Sequence, residues 1–167
     1  MNSLIQETEQ FVIDLLNEKL DKNFVYHNIA HTQRVVEKSL ELIEGESFSE
    51  EQQQILTLAA WFHDVGYTVN PENHEEESIN IAADFLKNKE VKESVIDEVS
   101  KLIASTKMGA KPVTKLEKVL RDADCSHVGS KNYTDFNELL RKERELVCEK
   151  KIKTVEWDDS NLDFLTK

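Results

Sequence analysis

Four short clusters of histidine and aspartate carry the side chains of this chain that are best suited to binding a divalent cation. The clusters are Tyr26-His27-Asn28 with His31, then His63-Asp64, then His74, then Asp122-Ala123-Asp124. In the tightest cluster an imidazole and a carboxylate are adjacent, directly after an apolar run over residues 59–62. Such a pair suits a divalent transition metal or a mixed nitrogen and oxygen site. The remaining clusters are therefore candidates for the ligands that complete a site around His63 and Asp64.

The His63-Asp64 pair follows a helix whose start has a local signal. Ser49 and Gln52 form a capping box, which predicts the first turn of a helix. The residues that follow, up to Phe62, become apolar almost all round, which is typical of a central, enclosed helix. A buried carboxylate at its end is costly unless it is paired, and a metal ion would pair Asp64; the alternative is a helix-end turn with an incidental histidine. We expect Gly66 to end this helix in a left-handed conformation.

Helical spacing places two further candidates on buried faces. His31 lies four residues before Val35 on a predicted helix, so it points towards the apolar side. Asp124 lies four residues after Leu120, whereas Asp122 lies about 200° round the helix. The spacing therefore selects Asp124 as the inward carboxylate. Both residues have an alternative role, His31 as a hydrogen-bonded structural residue and Asp124 as a cap of the helix end.

Three further basic side chains are candidates for contacts with an anion. His27 lies one turn before His31, if the helix extends that far. His74 opens a predicted helix whose first turn is acidic, which suits the positive end of a helix dipole. Lys107 lies in a loop over residues 105–112, where it could meet an anionic substrate. Alternatively, His74 is a surface residue at a helix start and Lys107 is solvated.

Composition favours a single all-α domain. The length of 167 residues suits one domain with a real core, and only 4 glycines and 2 prolines interrupt a sequence rich in helix formers. The net charge of −12 argues against a protein that coats a nucleic-acid duplex, because phosphate binding needs a basic surface. It does not argue against a small anionic ligand that is held at a metal.

Cysteine usage and the apolar segments bear on the cellular compartment. Cys125 and Cys148 have no spacing that indicates a disulfide framework or a zinc clip. The first residues lack a basic region followed by a long apolar run, so we expect no signal peptide. No stretch is long and apolar enough to cross a bilayer. These features predict a cytoplasmic protein without a membrane partner.

The order His…His-Asp…Asp on successive predicted helices resembles the HD-domain superfamily of metal-dependent phosphohydrolases. The motifs are Tyr-His-Asn-(two residues)-His at residues 26–31, His-Asp-Val-Gly-Tyr at residues 63–67, His-Glu at residues 74–75 and Asp-Ala-Asp at residues 122–124. The chain is most similar to the small stand-alone bacterial members. The resemblance implies a compact all-α bundle formed by residues 1–167, with a motif core over residues 25–129 and peripheral C-terminal helices over residues 133–167.

The same resemblance implies a set of metal ligands and reacting groups. The implied ligands of one divalent ion, which could be Mn, Mg, Fe, Co, Ni or Zn, are His31, His63, Asp64 and Asp124. Asp64 would also orient the attacking water, and His74 and Lys107 are the other catalytic candidates. The candidates for binding the substrate are His27, His74 and Lys107.

Two departures from the family pattern narrow the prediction. Members with two metals usually carry further histidines after the doublet, and here His74 is the one good candidate before Asp124. One metal is therefore expected. Hydrolases of guanosine tetraphosphate carry an acidic pair just after the doublet, but residues 65–69 contain no carboxylate. That activity is therefore not expected.

These observations predict hydrolysis of a phosphomonoester or phosphodiester bond in a small, phosphorylated, nucleotide-like substrate by a metal-activated water. The alternative is a non-catalytic regulatory module, in which the same pocket binds a metal and a nucleotide. A metal-assisted lyase or oxygenase ranks last, since two irons would need more ligands than the sequence offers. The oligomeric state is left open, and a homodimer is compatible with the sequence.

Overall fold

The computed structural model describes residues 3–165, which form eight α-helices, three short 3₁₀ segments and no strands. The helices are α1 Ser3–Lys19, α2 Ile29–Ile43, α3 Glu50–Phe62, α4 His74–Asn88, α5 Glu93–Ser105, α6 Lys115–Asp124, α7 Tyr133–Val147 and α8 Thr154–Leu165. The 3₁₀ segments are Val65–Thr68, Pro71–Asn73 and Cys125–Gly129. The predicted all-α class is confirmed. Both ends of the predicted domain, residues 1 and 167, lie outside the described residues.

Helix α3 is the centre of the bundle, as its apolar sequence predicts. It packs against α1, α2, α4, α5 and α6, and residues 55–62 are all buried. The capping box at its start is formed, since the Gln52 backbone N–H donates to Ser49 Oγ at 3.2 Å and the Ser49 N–H donates to Gln52 Oε1 at 3.0 Å. Each large apolar side chain buried here contributes about 1.5–3 kcal/mol. The end of α3 is therefore a fixed position in the fold.

The connection after α3 differs from the sequence prediction at Gly66. The prediction of a left-handed glycine is wrong, because the glycines with positive φ are Gly45 and Gly109. Helix α3 ends at Phe62, and the chain then turns through the 3₁₀ segment Val65–Thr68. The helix is thus stopped by this tighter turn and not by a glycine cap.

Glycine is nevertheless required at position 66 because α4 packs directly against its backbone. A Cβ atom added to Gly66 would lie 1.9 Å from the backbone oxygen of His74 and 2.8 Å from the backbone nitrogen of Ser78. The Gly66 N–H donates a hydrogen bond to Ser78 Oγ at 2.8 Å. Only glycine permits such a close approach of two backbones. This approach brings the start of α4, and with it His74, next to the His63-Asp64 pair.

Helices α2 and α6 begin at well-formed caps and pack against each other. Asn28 caps α2, since its Oδ1 accepts from the Ala30 N–H at 3.0 Å. His27 therefore precedes the helix, so the condition that α2 extends back to His27 is not met. Helix α6 starts with a capping box, because the Glu117 N–H donates to Thr114 Oγ1 at 3.2 Å.

The C-terminal helices pack on the outside of this core. Helix α7 contacts the 3₁₀ segment Cys125–Gly129. Trp157 of α8 is buried, and the guanidinium of Arg144 lies 5.7 Å from the centre of its ring. None of the helices described between residues 3 and 165 combines the length and hydrophobicity of a membrane span.

Candidate metal centre

The ends of three helices bring the four predicted ligands together. His31 lies in the first turn of α2, His63 and Asp64 follow α3, and Asp124 is the last residue of α6. The side chains of His31 and His63 are 2 % and 0 % exposed, and that of Asp64 is 9 % exposed. Asp124 is 24 % exposed, so the cluster is open to solvent on its side. Asp122 is exposed, and the choice of Asp124 as the inward carboxylate is confirmed.

The nitrogen and oxygen atoms of the cluster converge on one point. His31 Nε2 lies 3.3 Å from His63 Nε2 and 3.1 Å from Asp124 Oδ1, and these three ligand atoms all lie within 4.8 Å of one another. Asp64 Oδ2 lies 3.3 Å from His31 Nε2 and 3.2 Å from His63 Nε2. Ligand atoms bound at about 2.1 Å to one cation lie about 3.0–3.4 Å apart in octahedral or tetrahedral geometry. The spacing of the His31, His63 and Asp124 atoms therefore fits a single small cation, and Asp64 Oδ2 lies beside both imidazole nitrogens.

A backbone hydrogen bond fixes the orientation of His63. Its Nδ1 lies 2.7 Å from the carbonyl oxygen of Ala60. Because a carbonyl only accepts, Nδ1 carries a proton, and in the neutral ring the lone pair lies on Nε2, which faces the cluster. Metal-binding histidines are held in this way by a hydrogen bond from their second nitrogen.

Asp64 provides the second sign that the cluster suits a cation. Its Oδ2 atom is buried and has no hydrogen-bond partner among the described residues, although His31 Nε2 and His63 Nε2 lie 3.3 and 3.2 Å from it. A buried carboxylate oxygen without a partner is costly. A divalent cation would satisfy Oδ2 and both imidazole lone pairs together, so the residues present fit a metal ion.

The charged groups of the cluster shift one another's pKa values. Burial alone would lower the pKa of His63, but the carboxylate of Asp64 raises it to about 9. Burial would raise the pKa of Asp64, but the charge of His63 holds it well below its ordinary value. The pKa of Asp124 is also lowered, because the contact with His31 and the charge of His63 outweigh its burial. The carboxylates are therefore ionised at neutral pH, as metal ligands must be.

His27 lies beside the cluster and is held by a residue that sequence reasoning missed. Its Nδ1 contacts Glu143 Oε1, and its ring centre lies 5.4 Å from that of His31. Burial would lower the pKa of His27, but the hydrogen bond to Glu143 raises it above its ordinary value. No local signal marks Glu143, because it lies in a highly charged helix and its partners are 116 and 117 residues away.

Tyr67 lies between two of the candidate histidines. Its ring is stacked on that of His74, with centres 4.0 Å apart, and on that of His27, with centres 4.8 Å apart. Burial, followed by the charge of Asp64, raises the pKa of its hydroxyl, which therefore keeps its proton. Sequence reasoning assigned no role to Tyr67. In the structure it keeps both imidazoles at a fixed position beside the cluster.

His74 and Lys107 differ in their relation to the cluster. His74 Nε2 lies 3.8 Å from Asp64 Oδ1, and its side chain is 19 % exposed. Lys107 lies in the turn after α5 and is exposed. Within residues 3–165 no hydrogen bond or ion pair joins its side chain to the cluster. A role of Lys107 at the site stays a prediction.

A scan against protein-family models matched the family described as HD domain over residues 28–129. This segment is more than half of the 167-residue chain. It includes the whole cluster of His31, His63, Asp64 and Asp124, but neither His27 nor Glu143. No curated protein and no solved structure matched the chain.

Proposed function

The chain belongs to the HD domain family, and on that premise we propose that it is a metal-dependent phosphohydrolase. The reaction is the hydrolysis of a phosphomonoester or phosphodiester bond in a small, nucleotide-like substrate. The observation that carries the proposal is the convergence of two imidazoles and two carboxylates at the end of the buried helix α3. A mixed nitrogen and oxygen set of this kind binds a divalent metal and leaves positions for water and substrate.

The residues that would hold the ion are His31, His63, Asp64 and Asp124. A bound divalent cation supplies a water of lowered pKa and neutralises charge on a phosphoryl group. The protein keeps these four side chains in place through the caps of α2 and α6 and through the burial of α3. Such preorganisation lowers the cost of arranging the reacting groups.

The two oxygens of Asp64 have different surroundings and, in the proposal, different roles. Oδ2 faces the imidazoles of His31 and His63 at 3.3 and 3.2 Å, so it is the oxygen assigned to the ion. Oδ1 faces His74 Nε2 at 3.8 Å. This second oxygen is placed to accept a hydrogen bond from the attacking water and to aim the water's lone pair at phosphorus.

His74 is the candidate base for the proton that the water loses. Its Nδ1 donates a hydrogen bond to the carbonyl oxygen of Pro71 at 3.2 Å. The lone pair of the neutral ring is therefore on Nε2, which faces Asp64 Oδ1 and lies 3.6 Å from Glu75 Oε1. Nε2 can accept a proton from a water that is bound to Asp64 Oδ1.

His27 and Lys107 are proposed to contact the anionic substrate. The side chain of His27 is 22 % exposed, so a substrate can reach it. Lys107, which is exposed on the loop after α5, adds positive charge that attracts a phosphate from solution.

The proposal is tested by turnover and metal content together. We expect the purified chain to release phosphate from members of a panel of nucleotides and sugar phosphates in the presence of Mn²⁺, Mg²⁺, Co²⁺ or Ni²⁺. Asp64→Ala and Asp124→Ala should lose both bound metal and turnover. Asp122→Ala, which removes an exposed carboxylate two residues away on the same helix, should keep both.

Two results would reject the proposal. Unchanged metal content and turnover in Asp124→Ala would show that the cluster is not the metal site. Recovery of a tightly bound nucleotide in unchanged form after long incubation with Mn²⁺ would favour the non-catalytic binding module instead.

A further inference from the structure

Helix α7 contributes to the site through a single side chain. Glu143 is the only residue of Tyr133–Val147 that is buried, at 5 % exposure. A helix that packs only for stability buries apolar side chains, and a carboxylate is among the residues least often buried. The burial of Glu143 is costly unless its oxygens are paired. The contacts of this carboxylate therefore help to hold α7 in place, together with Phe136, whose ring lies 4.4 Å from the guanidinium of Arg34.

The carboxylate of Glu143 makes three contacts, all with residues 26 and 27. Oε2 accepts hydrogen bonds from the backbone N–H groups of Tyr26 at 2.7 Å and His27 at 2.9 Å. Oε1 contacts Nδ1 of the His27 ring. The two backbone contacts hold the residues that lead into α2, and the third contact selects the orientation of one side chain.

We propose that Glu143 is a positioning residue that acts through His27, an inference that rests on the proposed function. Because a carboxylate only accepts, Nδ1 of His27 carries a proton and Nε2 is left on the opposite edge of the ring. Nε2 has no partner among the described residues, and the side chain is 22 % exposed beside His31. Glu143 thus determines that the lone pair of the neutral ring lies on Nε2, where it can accept a hydrogen bond from a hydroxyl group of the substrate or from a bound water.

The inference places part of the site outside the segment that defines the family. The matched residues 28–129 contain the four candidate metal ligands. Glu143 and His27 lie outside that segment, one on either side of it. Helix α7, which the sequence predicts to be peripheral, therefore contributes the side chain of Glu143 to the site. This is a statement about substrate contact, since none of the three contacts of Glu143 involves a predicted metal ligand.

Glu143→Gln in the full chain separates positioning from a structural role. The amide oxygen can keep both backbone hydrogen bonds, while the amide N–H₂ turns to His27 Nδ1, which must then accept. We expect the proton of the neutral ring to move from Nδ1 to Nε2, which ¹⁵N NMR of the histidine ring nitrogens detects. Turnover of bis(p-nitrophenyl) phosphate or p-nitrophenyl phosphate with Mn²⁺ should fall by about 10–100-fold, as for other residues that orient an active-site histidine.

Mn²⁺ affinity and thermal stability are the readouts that a structural role would change. We expect the Mn²⁺ affinity to stay within about twofold of the wild-type value, and the melting temperature to stay within a few degrees of it. Glu138→Gln is the matched control, because Glu138 is exposed on the same helix and the chemical change is identical. It should behave as wild type in every assay. In a His27→Ala background, Glu143→Gln should cause no further loss of turnover.

Three outcomes would overturn the inference. They are unchanged ring-nitrogen signals with unchanged turnover in Glu143→Gln, a loss of turnover that tracks a loss of Mn²⁺ affinity, and full turnover in His27→Ala. The last also decides the matter if Glu143→Gln does not fold. If the wild-type chain hydrolyses no phosphoester, the proposed function fails, whereas the ring-nitrogen signals still show whether Glu143 fixes His27.

Discussion

The segments that follow α3 and α5 both come directly after a buried helix, but the first segment is buried and the second is exposed to solvent. After α3, Val65 and Gly66 are buried against the rest of the fold. After α5, Met108 is 72 % exposed and Val113 is 80 % exposed. The first segment begins with the candidate ligands His63 and Asp64, and the second contains the exposed Lys107.

The two segments are also held by different means. The α3 segment is fixed by direct backbone packing of α4 onto Gly66. The α5 segment is tied by side chains of α6, since Arg121 Nη1 donates to the carbonyl oxygens of Ser105 at 3.3 Å and Ala110 at 2.6 Å, and Glu117 Oε2 accepts from the Val113 N–H at 2.6 Å. Metal ligands need fixed positions, whereas a charged contact with substrate tolerates movement. In the proposed function the chemistry therefore belongs to the first segment, and the second segment makes at most a substrate contact.

The largest effect is expected from Gly66→Ala. The added Cβ would overlap the backbone of His74 and Ser78, and neither can move without displacing α4. We expect the free energy of unfolding, measured by urea denaturation, to fall by about 3 kcal/mol or more, and metal affinity to fall with it.

Gly129→Ala is the control for this change. A Cβ at position 129 meets no atom within 4 Å, so its effect should stay within about 0.5 kcal/mol. Equal stability of the two variants would show that the α3 segment is not closely packed.

A pH effect of intermediate size should act on the α3 segment through His63. The pKa of His63 is raised from 6.5 to about 9, so its protonation stabilises the metal-free fold fully below pH 6.5, and this stabilisation is lost as the pH rises towards 9. The lowered pKa values of Asp64 and Asp124 stabilise the fold above their ordinary value of 3.8 and lose effect as the pH falls below it. The metal-free protein should therefore be most stable between about pH 4 and 6.5.

The affinity for a metal ion should have the opposite pH dependence between pH 6.5 and about 9. His63 must lose its proton to bind a cation, so Mn²⁺ affinity is expected to rise between pH 6.5 and about 9. Urea denaturation of the metal-free protein at pH 6.5 and about 9 measures the change in stability. Mn²⁺ titration at the same two pH values measures the change in affinity. Flat profiles in both, or profiles unchanged by His63→Gln, would contradict the assignment.

The smallest effect is expected from Lys107→Ala. Because Lys107 is exposed, its contact with a phosphate is worth about 0.2–1 kcal/mol, so KM should rise by a factor of about 1.4–5. The kcat value and thermal stability should not change. Lys111→Ala, in the same loop, is the control for the loss of one positive charge. A fall in kcat of tenfold or more would place Lys107 among the reacting groups.

The helices and their starts could be predicted because their signals are local. Both capping boxes join residues three positions apart, so Ser49 with Gln52 and Thr114 with Glu117 are visible in the sequence. Helical spacing similarly separates Asp124 from Asp122. Spacing alone gives the buried face of each helix and not the distance between helices. The convergence of the four candidate metal ligands was therefore implied only by the family resemblance.

The parts that could not be predicted depend on contacts between distant segments. Glu143 looks like any solvated residue of a charged helix, and only the folded chain brings it to His27. A glycine after a helix is compatible both with a left-handed cap and with close packing, so the role of Gly66 could not be decided before α4 was placed. Tyr67 likewise gains its role from two rings that reach it from either side.

The most direct measurement is anomalous diffraction from crystals of the full chain grown with saturating Mn²⁺. The account predicts one strong peak within about 2.0–2.4 Å of four atoms, His31 Nε2, His63 Nε2, Asp64 Oδ2 and Asp124 Oδ1. A bound Mn²⁺ ion elsewhere in the molecule, with none between these four side chains, would contradict it.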